Sequence, residues 1–65
     1  MIKLTKFKTK DHDFVLNADL IETVDETPDT VITLVNGNKV LVEESMDDII
    51  RLVIEYRREI QRFGR

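Results

Sequence analysis

TVITLVNGNKVLVE, residues 30–43, contains two apolar, β-branched runs joined by the pair Asn36-Gly37. Valine, isoleucine and threonine are frequent in both runs, and these residue types favour strands. An Asn-Gly pair between two such runs is a strong short-range signal for a β-hairpin. The sequence therefore predicts an antiparallel hairpin with strands at 30–35 and 39–43.

The predicted hairpin has apolar residues on both faces. With an odd-length loop, one face carries Ile32, Leu34, Val40 and Val42, and the other carries Val31, Val35 and Leu41. An antiparallel sheet in a soluble monomer usually has one polar face. Curling of the sheet, a helix or another subunit must therefore cover the second apolar face, and we favour curling or another subunit.

Three further strands are predicted before the hairpin, at residues 2–7, 13–17 and 20–26. Apolar and polar residues alternate in the first two, which flank the polar stretch 8–13 and form a first hairpin. Leu20 and Ile21 are adjacent apolar residues, so we expect a bulge or a buried strand end there. Pro28 and Asp29 have the chemistry of a tight turn between the third and fourth strands.

A C-terminal helix is predicted over residues 46–63. Ser45 followed by Asp48 resembles a capping box with aspartate in place of glutamate, and Gly64 is expected to end the helix. At about 100° per residue, one arc gathers most apolar side chains. This predicted core face contains Met46, Ile49, Ile50, Leu52, Val53, Tyr56, Ile60 and Phe63. Ile54 is the one apolar residue on the opposite face.

These elements predict an α+β fold in a single domain, residues 1–65. A small antiparallel sheet of four to five strands, built as a hairpin plus a meander and able to curl, precedes one amphipathic α-helix. A chain of 65 residues buries only about 60% of the surface that it exposes when unfolded. Its core is therefore marginal, and we expect a homo-oligomer that forms through sheet faces or edges.

Composition excludes several classes of protein. The chain has no cysteine, and therefore no disulfide, thiolate nucleophile or cysteine-ligated zinc. Its net charge of −3 argues against non-specific binding to nucleic acid. No apolar run approaches the roughly 20 residues that span a bilayer. We therefore expect a cytoplasmic protein without a nucleic-acid partner and without a transmembrane segment.

No residue pattern predicts catalysis, a metal site or a cofactor. His12 is the sole histidine, whereas a catalytic zinc site usually has three protein ligands. Ser45 is explained by its predicted capping role, and the sequence gives no histidine a position from which it could activate the serine hydroxyl as a nucleophile. The acidic clusters at 25–29 and 43–48 are explained by solubility and by the helix dipole. We therefore predict a non-enzymatic interaction module.

Two surfaces are candidates for contact with other molecules. The predicted interface consists of Val31, Val35, Leu41 and Ile54. A basic patch is predicted at Arg57, Arg58, Arg62 and Arg65. Because the N-terminal segment also carries several lysines, peripheral contact with a membrane surface stays open.

Segments along nearly the whole chain carry a family resemblance: MIKLTK (1–6), NADLIETV (17–24), TPDTVITL (27–34), NG (36–37), VEES (42–45) and EYRR (55–58). In this order they resemble the FlbD family of small flagellar proteins, also called SwrD. One departure is the first turn, residues 8–13, which is longer than the short Asn-Gly connection common in that family.

The resemblance implies a role in motility, including support of swarming by raising the power of the flagellar motor, and no enzymatic activity. Its implied partners are proteins, with stator or motor-base components as candidates, and association with the flagellar basal body stays open. The most specific part of the resemblance is predicted as a partner-recognition turn, Thr27, Pro28, Asp29 and Thr30. Two alternatives remain: a small oligomeric scaffold or regulator of flagellar assembly and, less favoured, a nucleic-acid-binding regulator that uses the basic patch.

Overall fold

A three-stranded antiparallel meander forms the centre of the fold in the computed structural model, which describes residues 1–9 and 12–63, with side chains as far as Gln61. The elements are β1 (Ile2–Thr5), β2 (Asp13–Leu16), one 3-10 turn (Ala18–Leu20), β3 (Ile21–Glu26), β4 (Thr30–Leu34), β5 (Lys39–Val42) and α1 (Met46–Phe63). The predicted α+β class, the antiparallel pairing and the C-terminal helix are confirmed.

The β4–β5 hairpin has the predicted odd-length loop. Val31 pairs with Leu41 and Ile32 pairs with Val40, so each pair shares one face of the sheet. The loop closes as the Leu34 carbonyl accepts the Gly37 N–H at 2.8 Å and the Leu34 N–H donates to the Asn38 carbonyl at 2.8 Å. Gly37 has a φ of 90°, a left-handed conformation that residues with a side chain rarely adopt.

The core lies between the meander, β1 and the helix. Its fully buried residues come from every layer: Ile2, Leu4, Ala18, Ile32, Val42 and Ile49. Each fully buried aliphatic side chain of valine or leucine size contributes about 1.5–3 kcal/mol relative to an exposed one. This burial explains why apolar and polar residues alternate in β1: Ile2 and Leu4 face the core, while Lys3 faces solvent.

The strands form two sheets, so the prediction of a single sheet of four to five strands is wrong. β1 and β2 make a two-stranded sheet, and β3, β4 and β5 make a three-stranded one. Between them, Lys6 forms an isolated bridge with Val42, and two backbone hydrogen bonds join the segments 5–7 and 41–43. Because β1 must also place its apolar side chains against the shared core, it meets β5 only briefly and no longer ladder forms.

Each strand is one or two residues shorter at one end than predicted. Leu20 belongs to the 3-10 turn, Val35 enters the hairpin loop, and Lys6 lies after β1 in an isolated bridge with Val42. The expected bulge is present one residue further along, at Glu22, where the register shifts between Ile21 and Thr23. The extra residue changes the parity of β3, so that Ile21 and Val24 both pack toward the core although they are three residues apart.

The predicted capping box at the start of α1 is confirmed. The Asp48 N–H donates to Ser45 Oγ at 3.1 Å, and the Ser45 N–H donates to Asp48 Oδ2 at 3.4 Å. Glu26 Oε1 accepts the Met46 N–H at 2.9 Å, which satisfies another free donor of the first turn. Gly64, which was predicted to end the helix, lies outside the described residues.

The core face of α1 is narrower and shorter than predicted. Ile49 is buried, and Met46, Leu52, Val53 and Tyr56 are half-buried. Ile50 and Ile60 were predicted to be in the core, but they are 51% and 48% exposed. Ile50 lies at the edge of the arc, while Ile60 lies near the end of a helix about 27 Å long, which outruns strands of four to six residues. The side chain of Phe63 lies outside the described ones.

Replacement of the capping serine tests the start of the helix. We expect Ser45→Ala to lower the free energy of unfolding by about 1 kcal/mol, because the Asp48 N–H loses its acceptor. Urea unfolding followed by circular dichroism measures this loss. Ser45→Asn keeps a side-chain acceptor and serves as the control, and equal stability of the two variants would contradict the capping role.

The same cap predicts a dependence of stability on pH. A hydrogen bond from Arg51 and further hydrogen bonds with Ser45 hold the pKa of Asp48 below its ordinary value of 3.8. A carboxylate with a lowered pKa stabilises the fold fully above its unfolded pKa, and this contribution disappears as pH falls through the folded pKa. Wild type should therefore be more stable than Asp48→Asn near neutral pH, and the difference should shrink below pH 3.8. Thermal unfolding at a series of pH values measures the difference, and a constant gap would contradict the assignment.

Candidate functional site

His12 and Ser45 have structural roles. The His12 carbonyl accepts the Lys6 N–H at 2.9 Å and its N–H donates to the Thr9 carbonyl at 2.8 Å, so this exposed residue closes the first turn. Ser45 Oγ is an acceptor in the capping box. Within residues 1–9 and 12–61, no group of three histidine or acidic side chains is placed to hold a metal ion.

Three acidic side chains bind backbone N–H groups that are distant in sequence. Both carboxylate oxygens of Glu44 accept the Thr5 N–H, at 2.9 and 3.0 Å, and Glu43 Oε2 accepts the Lys8 N–H at 2.7 Å. Glu26 joins the turn before β4 to the start of α1. The sequence indicated only solubility and helix-dipole roles for these clusters. No local signal could reveal the contacts, because the bonded residues lie 20 to 39 positions apart.

The outer face of the three-stranded sheet brings two predicted interface residues together. Leu41 is directly opposite half-buried Val31 and is 40% exposed. The strands place polar side chains on the same face, at Thr23, Asp25, Thr33 and Lys39. Val35 is exposed in the hairpin loop at the end of this face. The outer sheet face, as we call this surface, is therefore a small apolar pair inside a polar frame.

Ile54 lies on the other side of the sheet, away from the remaining predicted interface residues. It borders an apolar groove of about 230 Å³ between α1 and the edge of β3. We call this surface the helix flank; it is lined by Ala18, Ile21, Val24, Ile49, Ile50, Val53, Ile54 and Arg57. In the part of the chain that the structure describes, the outer edge of β3 pairs with no strand. Sequence reasoning missed Ile50 here, although its spacing of four from Ile54 was the available signal.

The predicted recognition turn is only partly accessible. Thr27 and Pro28 are exposed, Asp29 is half-buried, and Thr30 is buried in the first pair of β4 with β5. Thr30 is therefore a core residue, and the accessible part of the turn consists of residues 27–29. Glu26, next to this turn, holds the first turn of α1, so the turn lies near the start of the helix.

The predicted basic patch is described at two of its four positions. Arg57 and Arg58 are both exposed on α1. Arg57 borders the helix flank, and Arg58 borders a neighbouring shallow concavity that also includes Asp47, Ile50 and Ile54. The side chain of Arg62 and the whole of Arg65 lie outside the described part of the chain. The two described arginines thus lie on either side of Ile54.

These features define a small α+β protein with two candidate contact surfaces that carry exposed apolar residues. No helix within residues 1–9 and 12–63 is long and apolar enough to cross a membrane. The chain belongs to the FlbD family of flagellar and swarming motility proteins, whose sequence model matches residues 1–61. The resemblance seen in the sequence is thereby confirmed, and the family implies a role in flagellar or swarming motility. Comparisons with curated proteins and with solved structures find no match.

Removal of the Glu44 carboxylate tests the junction between the two sheets. We expect Glu44→Ala to lower the free energy of unfolding by about 1–3 kcal/mol, because the part-buried Thr5 N–H loses both of its acceptors. Amide hydrogen exchange at Thr5 and Glu43 should accelerate more than exchange in β4. Glu22→Ala, on an exposed strand position, is the matched control and should change stability by less than about 0.5 kcal/mol. Unchanged exchange at Thr5 would contradict this role.

Proposed function

We propose that this protein is a non-enzymatic, cytoplasmic accessory protein of the flagellum that supports swarming by promoting the power of the flagellar motor. It acts through contact with another protein, and the stator or the motor base supplies the candidate partners. The observation that carries the proposal is the family match over residues 1–61, which implies a motility role for nearly the whole chain. Association with the flagellar basal body is part of the same proposal.

The outer sheet face is the surface that we assign to the motor partner. Val31 and Leu41 stand on adjacent strands, whose backbone ladder holds them rigidly, so a partner that binds them orders few flexible groups. Asp25 and Lys39 lie on the same face with opposite charges and can orient a partner of mixed charge. The turn at 27–29 is at one end of this sheet and extends the surface.

A role in flagellar assembly is the second candidate, either as an oligomeric scaffold or as a regulator. Self-association is supported by the exposed isoleucines of α1, since a chain with so small a core gains from burying them. Direct binding to nucleic acid is less favoured, because the exposed Arg57 and Arg58 stand in a chain of net charge −3. The number of flagellar filaments distinguishes the two roles, because a role in assembly predicts fewer filaments and a role in motor power predicts a normal number.

Deletion of the gene should lower motor torque while leaving flagellar number unchanged. Filaments are counted by fluorescence microscopy, and torque is measured from the rotation of tethered cells. Normal torque with fewer filaments would contradict motor power and favour the assembly role. Unchanged swarming and unchanged torque would contradict both.

Two leucines of similar exposure test the assigned surface in the complemented deletion strain. Leu41 on the outer sheet face is 40% exposed, and Leu20 at the end of the 3-10 turn is 42% exposed. We expect Leu41→Asp to reduce torque toward that of the deletion strain, because a charge is placed in the apolar pair, while Leu20→Asp keeps normal torque. Immunoblots verify equal protein levels. Normal torque in the Leu41→Asp strain would remove this face from the proposal.

A further inference from the structure

The helix flank exposes large side chains that the core leaves uncovered on α1. Ile50 and Ile54 are 51% and 46% exposed, and they lie one turn apart on the same side of the helix. Beside them, Ile21 and Val24 of β3 continue the apolar surface. The groove of about 230 Å³ is smaller than the roughly 300–1,000 Å³ of small-molecule pockets. It is of a size to accept protein side chains.

Charges are ordered along this flank in a self-complementary way. Asp47, Ile50, Ile54 and Arg57 follow one another at spacings of three, four and three, so they form a single stripe on the helix, within an arc of about 80°. The acidic end lies toward the helix start and the basic end toward its last turns. Spacings of three and four are those by which one helix packs along another.

The charges at the two ends of this stripe, Asp47 and Arg57, have no ion-pair partner within the described part of the chain. Arg51, one turn from Asp47 and beside the same concavity, pairs with Asp48 at 3.3 Å and with Glu55 at 3.7 Å. Neither Asp47 nor Arg57 takes part in an ion pair within residues 1–9 and 12–61. The helix separates Asp47 from Arg57 by about 15 Å, so they cannot pair with each other in one chain.

We propose that a second copy of this chain occupies the helix flank, with the two α1 helices antiparallel. A two-fold axis at the level of Leu52 places Ile50 opposite Ile54 of the second copy. The same axis places Asp47 opposite Arg57 of the second copy, without any further adjustment, because both pairs are centred on the same residue. Symmetry makes each contact twice, so four isoleucines are flanked by two ion pairs.

A second copy fits this surface better than other occupants do. An anionic lipid surface would attract Arg57 but repel Asp47, and both charges border the exposed isoleucines. A different protein would need the reverse order of charges along its own helix, which a second copy supplies automatically. The chain exposes 4896 Å² in all, so half of a standard interface, about 800 Å², is roughly a sixth of it. A helix flank provides less, and the dimer is therefore weak and reversible.

Such a dimer leaves the outer sheet face free, because that face lies on the opposite side of the sheet from α1. The dimer is independent of the proposed motor role. Its test is the molecular mass of the protein in solution, whereas the test of the motor role is torque. Either can fail while the other stands.

Charge reversal in the full chain tests the pairing. Sedimentation equilibrium from about 1 µM to 1 mM, at low salt, measures the dissociation constant of the wild-type dimer. Asp47→Arg and Arg57→Asp should each weaken the dimer by roughly tenfold or more, because both symmetric ion pairs become repulsive. An equimolar mixture of the two variants should restore the wild-type mass, since the arginine introduced in one variant then faces the aspartate introduced in the other. Circular dichroism confirms that both variants keep their helix.

Hydrophobic variants provide an independent readout. Ile54→Asp should abolish the dimer, while Leu41→Asp, on the outer sheet face, should leave it unchanged. A wild-type chain that stays monomeric up to about 1 mM would overturn the proposal. So would a mixture of charge variants that associates no better than either alone, or a dimer that Leu41→Asp breaks and Ile54→Asp does not. The last result would place the second copy on the outer sheet face.

Discussion

The register of the β4–β5 hairpin is the constraint on which the remaining structure depends. Gly37 allows the tight loop to close, and the loop fixes which residues of the two strands stand opposite each other. A slip of one residue between β4 and β5 would put Ile32 and Val42 on opposite faces of the sheet, so that one of them would leave the core. Because β4 is the central strand of the meander, a slip of β4 would also change its pairing with β3 and disrupt the apolar surface that α1 covers.

Acidic side chains supply the connections that so small a core cannot supply by itself. Glu44 and Glu43 tie the end of β1 and the turn after it to the segment after β5, and Glu26 ties the end of β3 to the first turn of α1. Each contact satisfies a backbone donor with a charged acceptor, which is stronger than a neutral hydrogen bond. The two sheets and the helix therefore keep their relative positions although the strand ladder between the sheets is short.

The features that the sequence predicted correctly are those whose signals are local. The hairpin depends on a few adjacent residues, and the capping box depends on Ser45 and Asp48, three positions apart. The division into two sheets and the carboxylate contacts depend on residues that only the folded chain brings together. Ile60 is exposed because the helix extends beyond the strands that could cover it. The apolar periodicity of the helix gives the face on which a residue lies, but not how far along the helix that face is covered. For the surfaces, helical periodicity identified Ile54, but only the fold separates it from Val31 and Leu41.

The bulge at Glu22 also bears on how the protein behaves when it is concentrated. Unpaired edge strands can template the growth of fibrils, because their free N–H and C=O groups accept a further strand. β3 is such an edge, but its bulge interrupts the regular spacing of those groups, and three of its six residues are acidic: Glu22, Asp25 and Glu26. Two β3 edges brought together would crowd their carboxylates. The bulge and these carboxylates thereby protect the edge against open-ended aggregation.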